Sequence, residues 1–362
     1  MSPLVMKTCE MFAKKGIAVE LWIPWRQSPG FSHVDPFDYH GIERNFTIRR
    51  IPALDLTATL PGNFFFFLML TTFQLSLLFC LRKPDLFYFH DVRDTAIPSF
   101  SRKPMFLEIH DFYKSGAGWI NRRLFPQITG FVVTNRFKME ALKKEFGIPE
   151  KKMFHQPNAV DVKMFGVDIS KGEARTKLSL VQNQKIILYT GHLFYWKGVD
   201  TLLETAQFLN KDEIVYFVGG TDKDIEDFKF KSVKFKNVAV VGRKPHKEIP
   251  LWLRAADVLA LPSPAKYPES KYETSPVKLF EYMASGTPIV ASDVPSIRNI
   301  IDEKAAFFFE PDNPKSLAEI LTSVLASPEE SIRRARSARE EAGRYSWERR
   351  AESIIAFVDK EN

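Results

Sequence analysis

Two carboxylates, Glu273 and Glu281, flank the predicted start of a helix. Pro276 suits the first turn of that helix, and the apolar residues that follow continue it. A first turn leaves backbone N–H groups, here those of Val277 and Lys278, without helical partners, so it can cradle a phosphate, to which the Lys278 amine adds charge. The carboxylates beside it would accept hydrogen bonds from sugar hydroxyls. Taken alone, two glutamates at this spacing are typical of surface charge.

A second candidate anion site follows the predicted strand at 186–190, where Gly191 and His192 lead to Lys197 just before a helix. A glycine turn and then a lysine at a helix start would place a point charge where a phosphate binds. Arg243, which follows another predicted strand, is a further candidate. The alternative for Lys197 is a solvated loop, and for Arg243 a structural ion pair.

Histidines end two predicted strands in the first half, His90 with Asp91 and His110 with Asp111. Open parallel sheets bind ligands beyond the carboxyl ends of their strands, so these pairs are candidates for substrate contact. A histidine at a strand end is also typical of a satisfied loop side chain, and this alternative stays open.

These candidates need a sheet to position them. From Lys185 onward, short apolar runs alternate with stretches of helical periodicity, and the first half repeats the theme less cleanly. This alternation predicts parallel sheets covered on both faces, in two doubly wound α/β domains that meet near 158–166. The clearest apolar runs lie at 17–24, 85–90, 105–110, 131–134, 186–190, 214–219, 238–242 and 288–292.

The composition excludes several classes of protein. With 362 residues, 45% of them hydrophobic and 26% charged, the chain is long and apolar enough to fold around large cores and is not disordered. Two cysteines, Cys9 and Cys80, exclude a disulfide framework and favour a reducing, cytosolic compartment. The first residues lack the pattern of a signal peptide.

The net charge of +7 lies in the first half. Residues 1–165 contain 22 Lys/Arg and 15 Asp/Glu, whereas the remainder contains 29 of each. A basic half indicates attraction to nucleic acid, to an anionic membrane or to a phosphorylated substrate. A solvated surface that binds nothing is an equally simple interpretation.

An uncharged segment at 63–81 interrupts the strand and helix pattern. It is long enough on paper to span a bilayer, but polar residues dilute it and the strand at 85–90 follows at once. We therefore expect a helix that is buried against the sheet or lies partly in a membrane surface.

In this order and spacing, the two anion sites, Arg243 and the glutamate pair resemble the donor-binding domain of the retaining GT-B glycosyltransferases of family 4. The resemblance covers nearly the whole chain. Residues 157–165 resemble the Asn-Gly-Val-Asp signature of the family, and 255–263 resemble the strand before its Glu-x7-Glu loop. Residues 346–351 resemble its last helix, and His110 with Asp111 resembles its acceptor-side His-Asp pair.

The resemblance implies an α/β chain of the GT-B fold, with two doubly wound Rossmann-like domains and a cleft between them. Residues 1–165 would be an acceptor-side domain whose first strand is apparently missing, and 166–345 the nucleotide-sugar donor domain. Residues 346–362 would be a helix that returns to the first domain.

The resemblance also implies a hexosyltransferase that uses a UDP- or GDP-linked sugar, retains the anomeric configuration and needs no metal. Glu273 would hold hydroxyls of the donor sugar, Glu281 the ribose hydroxyls, and Lys197 would neutralise the leaving diphosphate. His110 would hydrogen-bond the donor sugar near the reacting carbon. The donor-binding set would be Gly191, His192, Lys197, Arg243, Glu273, Val277, Lys278 and Glu281.

The expected partners follow from the same resemblance. They are a nucleotide-sugar donor as co-substrate rather than a cofactor, a saccharide or lipid-linked acceptor, and an anionic membrane surface, but no nucleic acid. The expected setting is cell-envelope glycan biosynthesis, in the cytoplasm or peripheral on the inner face of the plasma membrane.

Three departures from the family pattern matter. His192 stands where many members have Arg, and Ser275-Pro276 replaces a common Phe-Gly. The chain also begins inside the first predicted helix, without the usual first strand and glycine-rich loop. These departures sustain two alternatives, a catalytically silent nucleotide- or glycan-binding protein and a nucleotide-sugar epimerase. The helix start, both glutamates and Lys197 favour the transferase.

Overall fold

The computed structural model describes residues 2–26, 34–57, 59, 60, 62–110 and 118–361, so Asp111 of the predicted His-Asp pair lies outside the described residues. The chain forms two compact units, one of Met1–Pro157 with Trp347–Asn362 and the other of Asn158–Ser346. We call them the first and the second unit. The division falls between Pro157 and Asn158, whereas the sequence interpretation placed it after Phe165.

The second unit contains a parallel sheet of six strands among its described residues. Numbered within the unit, their order is 3-2-1-4-5-6, that of a Rossmann sheet. All six runs are short and largely apolar because helices cover both faces of the sheet. The strands are β7 (Lys185–Thr190), β8 (Glu213–Val218), β9 (Val238–Gly242), β10 (Val258–Leu261), β11 (Ile289–Ser292) and β12 (Phe307–Phe309).

Helices precede, connect and follow these strands along the chain, and the connecting helices form crossover units. They are α6 (Val162–Phe165), α7 (Lys171–Lys177), α8 (Val199–Thr205), α9 (Asp222–Ser232), α10 (Ile249–Ala255), α11 (Val277–Ser285), α12 (Pro295–Arg298), α13 (Pro314–Ala326) and α14 (Pro328–Ala342). Helix α11 begins directly after Pro276, as the sequence predicts.

The first unit contains a parallel sheet in the order β3-β4-β5-β6 and a separate parallel pair β1-β2. Its strands are β1 (Glu20–Pro24), β2 (Thr47–Ile51), β3 (Phe87–Phe89), β4 (Met105–Ile109), β5 (Gly130–Val133) and β6 (Met153–His155). Its helices are α1 (Pro3–Lys14), α2 (Pro36–His40), α3 (Asn63–Leu77), α4 (Gly118–Leu124), α5 (Arg136–Phe146) and α15 (Trp347–Glu361).

The last helix packs on one face of the first unit's sheet. Ile354 and Phe357 of α15 are buried against Phe106 and Val132. A Cβ at Gly130 would lie 2.8 Å from the Phe357 ring, so glycine at this position lets the helix approach β5. Residues 347–361 are therefore part of the first unit's core.

The uncharged segment forms α3, but only one edge of this helix is buried. Met69, Phe73 and Leu77 face the protein, whereas Phe64 and Phe67 are 72% and 55% exposed. Among the described residues, no helix is long and apolar enough to cross a membrane.

Candidate functional site

The predicted turn after β7 is shaped by a lysine from α11. Gly191 has φ +123°, a left-handed conformation that favours glycine, and an added Cβ would lie 2.8 Å from the Nζ of Lys278. Lys278 is the second residue of α11, so this contact brings the helix start to the carboxyl end of β7. The two predicted anion sites are therefore one site.

The amine of Lys278 has no ion-pair partner among the described residues. It lies 3.8 Å from the centre of the Tyr189 ring, a cation–π contact. Burial lowers the pKa of Lys278 well below its usual value, the nearby Lys197 lowers it further, and the Glu281 carboxylate partly opposes both effects. A buried amine that makes no direct ion pair is costly to protonate, so this side chain is suited to an anionic ligand that would supply negative charge.

Two tyrosine hydroxyls hold this arrangement in place. The Thr190 N–H donates to the hydroxyl of Tyr282 on α11 at 2.9 Å, and the Tyr189 hydroxyl donates to the His192 carbonyl at 2.8 Å. Tyr189 and Tyr282 are fully buried. The sequence analysis did not identify either tyrosine, because a tyrosine in an apolar run is typical of a core residue.

Three basic side chains of the predicted set, those of Lys278, Lys197 and Arg243, act electrostatically on the imidazole of His192. Burial and then the amine of Lys278 lower the pKa of His192, the Asp224 carboxylate opposes this, and Lys197 and Arg243 lower the pKa further. Lys197 ends a short helical turn before α8, and Arg243 directly follows β9. The site therefore carries positive charge from separate segments of the second unit, as expected for a polyanionic ligand.

Close packing explains the glycine after Lys197. Gly198 has φ +75°, and an added Cβ would lie 1.6 Å from the Pro262 carbonyl oxygen. Only glycine lets this turn lie against the end of β10, and the contact fixes the backbone that carries Lys197.

Glu281 lies one turn into α11, with only 12% of its side chain exposed. Its Oε1 lies 3.1 Å from Nε2 of His246, and this hydrogen bond raises the pKa of His246. His246 also packs edge-on against Phe165. The sequence analysis missed His246 because it follows Arg243 in a loop with no motif of its own.

Glu273 ends a helical turn, Glu269–Glu273, and is half-buried. The loop that follows is fixed by Asn158, whose Nδ2 donates to the Ser275 carbonyl at 2.6 Å and whose N–H donates to the Ser275 hydroxyl at 3.2 Å. Val277 then begins α11. The predicted signature at 157–165 thus supports the glutamate loop directly.

His110, the candidate in the first unit, lies at the end of β4. Its Nε2 is 2.8 Å from Oε1 of Glu108, which also accepts a hydrogen bond from Arg350 at 2.7 Å. The Tyr88 hydroxyl donates to the other carboxylate oxygen at 2.6 Å. The sequence analysis missed this network because Glu108 and Arg350 are 242 residues apart.

The same network brings together groups that are able to ligate a metal. The ligand atoms of His90, Glu108 and His110 all lie within 4.8 Å of one another. The Arg350 guanidinium, which is 1% exposed, already supplies positive charge to Glu108, so a divalent cation there would face electrostatic repulsion. The donor set therefore fits an ion-pair network better than a metal site.

Comparison with known proteins finds a family that matches the second unit. Residues 170–341 match the family described as glycosyl transferases group 1. The D-inositol 3-phosphate glycosyltransferase of Xylanimonas cellulosilytica is 25% identical over 236 residues, which are 62% of this chain and 55% of that protein. The putative teichuronic acid biosynthesis glycosyltransferase TuaC of Bacillus subtilis is 25% identical over 218 residues, 60% of this chain and 52% of TuaC. The chain thus spans about half the length of these curated relatives.

A solved structure resembles the whole chain. The crystal structure of Anabaena Alr3699/HepE in complex with UDP matches with a TM-score of 0.78 at 15% identity, covering 99% of this chain and 97% of HepE. This likeness confirms the predicted GT-B type of fold, with two Rossmann-like units.

Proposed function

Because residues 170–341 match the glycosyl transferases group 1 family and the chain has a GT-B type of fold, we propose that this chain is a glycosyltransferase that uses a nucleoside diphosphate sugar. The observation that carries the proposal is the Lys278 amine, which is buried beside Gly191 without an ion-pair partner among the described residues. A diphosphate would supply the missing negative charge. HepE was crystallised with UDP, which supports this choice of ligand.

The cationic site would act in the transfer step itself. The acceptor oxygen bonds to the anomeric carbon, the bond from that carbon to the diphosphate oxygen breaks, and the diphosphate leaves with the electron pair. The acceptor proton passes to the departing phosphate oxygen. Charge therefore grows on the diphosphate in the transition state, where Lys197 and Lys278 would stabilise it most.

The two glutamates would bind different parts of the donor. Glu281 would accept hydrogen bonds from the ribose hydroxyls. Its Oε1 also lies 3.1 Å from Nε2 of His246, which would help to orient the carboxylate. Glu273, at the end of the preceding helical turn, would hold hydroxyls of the sugar. The helix start at Val277 offers N–H groups to a phosphate.

We further propose that the configuration is retained and that no metal is needed. Attack on the same face that the diphosphate leaves would retain the configuration, with the diphosphate assisting. Lys197, Lys278 and Arg243 would give the leaving group the positive charge that a metal supplies in other transferases. His110 would hydrogen-bond the sugar near the reacting carbon.

A donor screen tests this function. Release of UDP and GDP from a panel of their sugar conjugates is measured with and without saccharide and lipid-linked acceptors. We expect release that depends on an acceptor, a product with the anomeric configuration of the donor by NMR, and an unchanged rate in EDTA. Tight nucleotide binding with no turnover on any acceptor would instead identify a silent binding protein.

The first unit would bring the enzyme to an anionic membrane surface. Phe64 and Phe67 are exposed on α3, and the net charge of +7 lies in the first 165 residues. Apolar insertion and attraction to anionic headgroups would act together, as stable peripheral anchoring requires. A lipid-linked acceptor and a place on the inner face of the plasma membrane would follow.

Co-sedimentation with anionic vesicles tests this placement. We expect the chain to pellet at low salt and to be released at high salt, because the Debye length falls from about 10 Å at 0.1 M to about 3 Å at 1 M. Phe64→Ser with Phe67→Ser should weaken binding. Phe230→Ser is the matched control, because Phe230 is 86% exposed in the second unit. Protein that stays in the supernatant at low salt would argue for a soluble acceptor.

A further inference from the structure

Glu108 is a fully buried carboxylate in the middle of β4. Alternation along a strand places Phe106, Glu108 and His110 on the same face, which α15 covers. Burial alone would raise the pKa of Glu108, but the Arg350 guanidinium and the hydrogen bond from His110 bring it well below its usual value. Glu108 is therefore ionised and can only accept hydrogen bonds.

This protonation state decides which nitrogen of His110 carries hydrogen. Because an ionised carboxylate has no proton to donate, the 2.8 Å contact with Glu108 requires a hydrogen on Nε2 of His110. In the tautomer that carries this hydrogen, Nδ1 has a lone pair and no hydrogen. Among the described residues, the contacts of the ring with Glu108 and His90 both run through Nε2, which leaves Nδ1 as the nitrogen available to a ligand.

We propose that Glu108 is a positioning residue that fixes the ring and tautomer of His110, so that Nδ1 accepts a hydrogen bond from a donor-sugar hydroxyl. This inference rests on the proposed function for the identity of the ligand. It makes His110 a hydrogen-bond acceptor for the sugar. It also means that the buried ion pair of Glu108 and Arg350 contributes to the reaction by orienting His110. Arg350, carried by the last helix, would act through Glu108.

The surroundings of Glu108 hold it in one orientation. Arg350 donates to it and, through Nε, to the Pro157 carbonyl at 3.1 Å, while Tyr88 donates to the other oxygen. Both oxygens of the carboxylate are thus engaged. Because Arg350 is fixed at two points, the carboxylate has no room to turn away from His110.

Two further residues hold His110 itself. The Lys138 amine donates to the His110 carbonyl, which fixes the backbone. The His90 and His110 rings are stacked, with their centroids 5.6 Å apart. Burial lowers the pKa of His90 to about 4. His90 is therefore neutral near pH 7 and places no positive charge beside the His110 ring.

A pair of substitutions separates positioning from stability. Removing Glu108 alone would leave Arg350 buried and unpaired, so the test combines Glu108→Leu with Arg350→Met, which replaces the ion pair with apolar side chains of similar size. We expect this double variant to keep its melting temperature but to lose about 100-fold in kcat, because a ring held 1 Å out of place is enough for such a loss. KM should change little. The single variant Glu108→Gln, which keeps an accepting oxygen, should retain most of the parental kcat.

An exposed ion pair of the same unit provides the matched control. Lys15 lies 2.5 Å from Glu352 of α15, and Lys15→Met with Glu352→Leu should leave kcat unchanged. A double variant of Glu108 and Arg350 that folds and retains the parental kcat would overturn the positioning role.

NMR of 15N-histidine-labelled protein tests the same contact without any activity. We expect a downfield Nε2–H proton of His110, assigned by its loss in His110→Gln, that disappears in the double variant. If the chain proves to transfer no sugar, this resonance still decides whether Glu108 holds His110. A signal that persists unchanged in the double variant would overturn the inference.

Discussion

Each unit of this protein contains a buried cation, and the two differ in what compensates the charge. Arg350 in the first unit is 1% exposed and donates to the buried carboxylate of Glu108 at 2.7 Å. Lys278 in the second unit contacts the Tyr189 ring and Gly191 but has no ion-pair partner in the described part of the chain. The first charge is compensated within the fold by a direct ion pair, whereas under the proposed function the second would be compensated mainly by the bound diphosphate.

This difference separates two uses of a buried charge. A paired charge fixes its neighbours, and breaking the pair is expensive because the remaining partner stays buried. An unpaired charge destabilises the free protein. It increases the affinity for an anionic ligand, because the ligand supplies the missing counter-charge. The two cations should therefore respond to removal in opposite ways.

The largest expected effect is on stability. Arg350→Met leaves Glu108 buried without its counter-ion and should lower the free energy of unfolding by about 3–5 kcal/mol. Lys278→Met removes an amine that is costly to bury and makes no direct ion pair, so it should leave that free energy unchanged or higher. Chemical denaturation of both variants measures the contrast, with Arg349→Met as the exposed control on α15. Equal losses at the two sites would contradict the comparison.

Next in size is the effect of Lys197 on turnover. If its charge stabilises the leaving diphosphate, Lys197→Ala should lower kcat about 100- to 1000-fold, the usual loss when one such charge-stabilising group is removed. Circular dichroism and the melting temperature establish that the variant is folded. A variant with a raised KM and the parental kcat would show that Lys197 binds donor and transition state equally.

Glu281 and Glu273 should bind different parts of the donor. Glu281→Ala loses a charge-assisted hydrogen bond to the nucleoside and should weaken binding of the bare nucleoside diphosphate about ten- to a hundredfold. Glu273→Ala should spare that affinity and lower turnover, because its expected partners are on the sugar. Calorimetric titration compares the two variants. Equal losses of nucleotide affinity would contradict the division.

The smallest expected effect is a pH dependence at His192. Burial and the neighbouring cations lower the pKa of His192, so the imidazole is neutral at pH 7 in the free protein. A bound diphosphate favours the protonated ring and raises that pKa, so binding takes up a proton and affinity increases as the pH falls. In His192→Arg this contribution is absent, and the two profiles should differ by less than about tenfold between pH 8 and 6. Identical profiles would show that His192 does not meet the phosphates.

The sequence predicted the second unit better than the first. Its apolar runs are regular, and Gly191, Lys197 and Lys278 follow strands or start helices, so their convergence follows from sheet topology. Strands β2, β6 and β12 were not predicted: β2 contains Arg49 and Arg50, and β6 and β12 have only three residues each, as does β3, which was predicted. Short or charged runs of this kind form strands only when a neighbour pairs with them.

The network around His110 was beyond sequence reasoning for a different reason. Glu108 within an apolar strand is a visible anomaly, but its partner Arg350 belongs to a helix at the other end of the chain. Likewise, the bond between His246 and Glu281 depends on tertiary packing of a loop against α11. Local patterns reveal a buried charge, whereas only the fold reveals what compensates it.

The central claim is that the Lys278 amine binds the diphosphate of the donor. Calorimetric titration tests this claim most directly. UDP and GDP are first titrated into the parent protein to find which nucleotide binds. The affinity for that nucleotide and for its nucleoside is then measured in the parent, in Lys278→Met and in the exposed control Lys229→Met. We expect Lys278→Met to lose tenfold or more in nucleotide affinity, about 1.4 kcal/mol, while nucleoside binding and the control are unchanged. Parental affinity for the nucleotide in Lys278→Met would contradict the account.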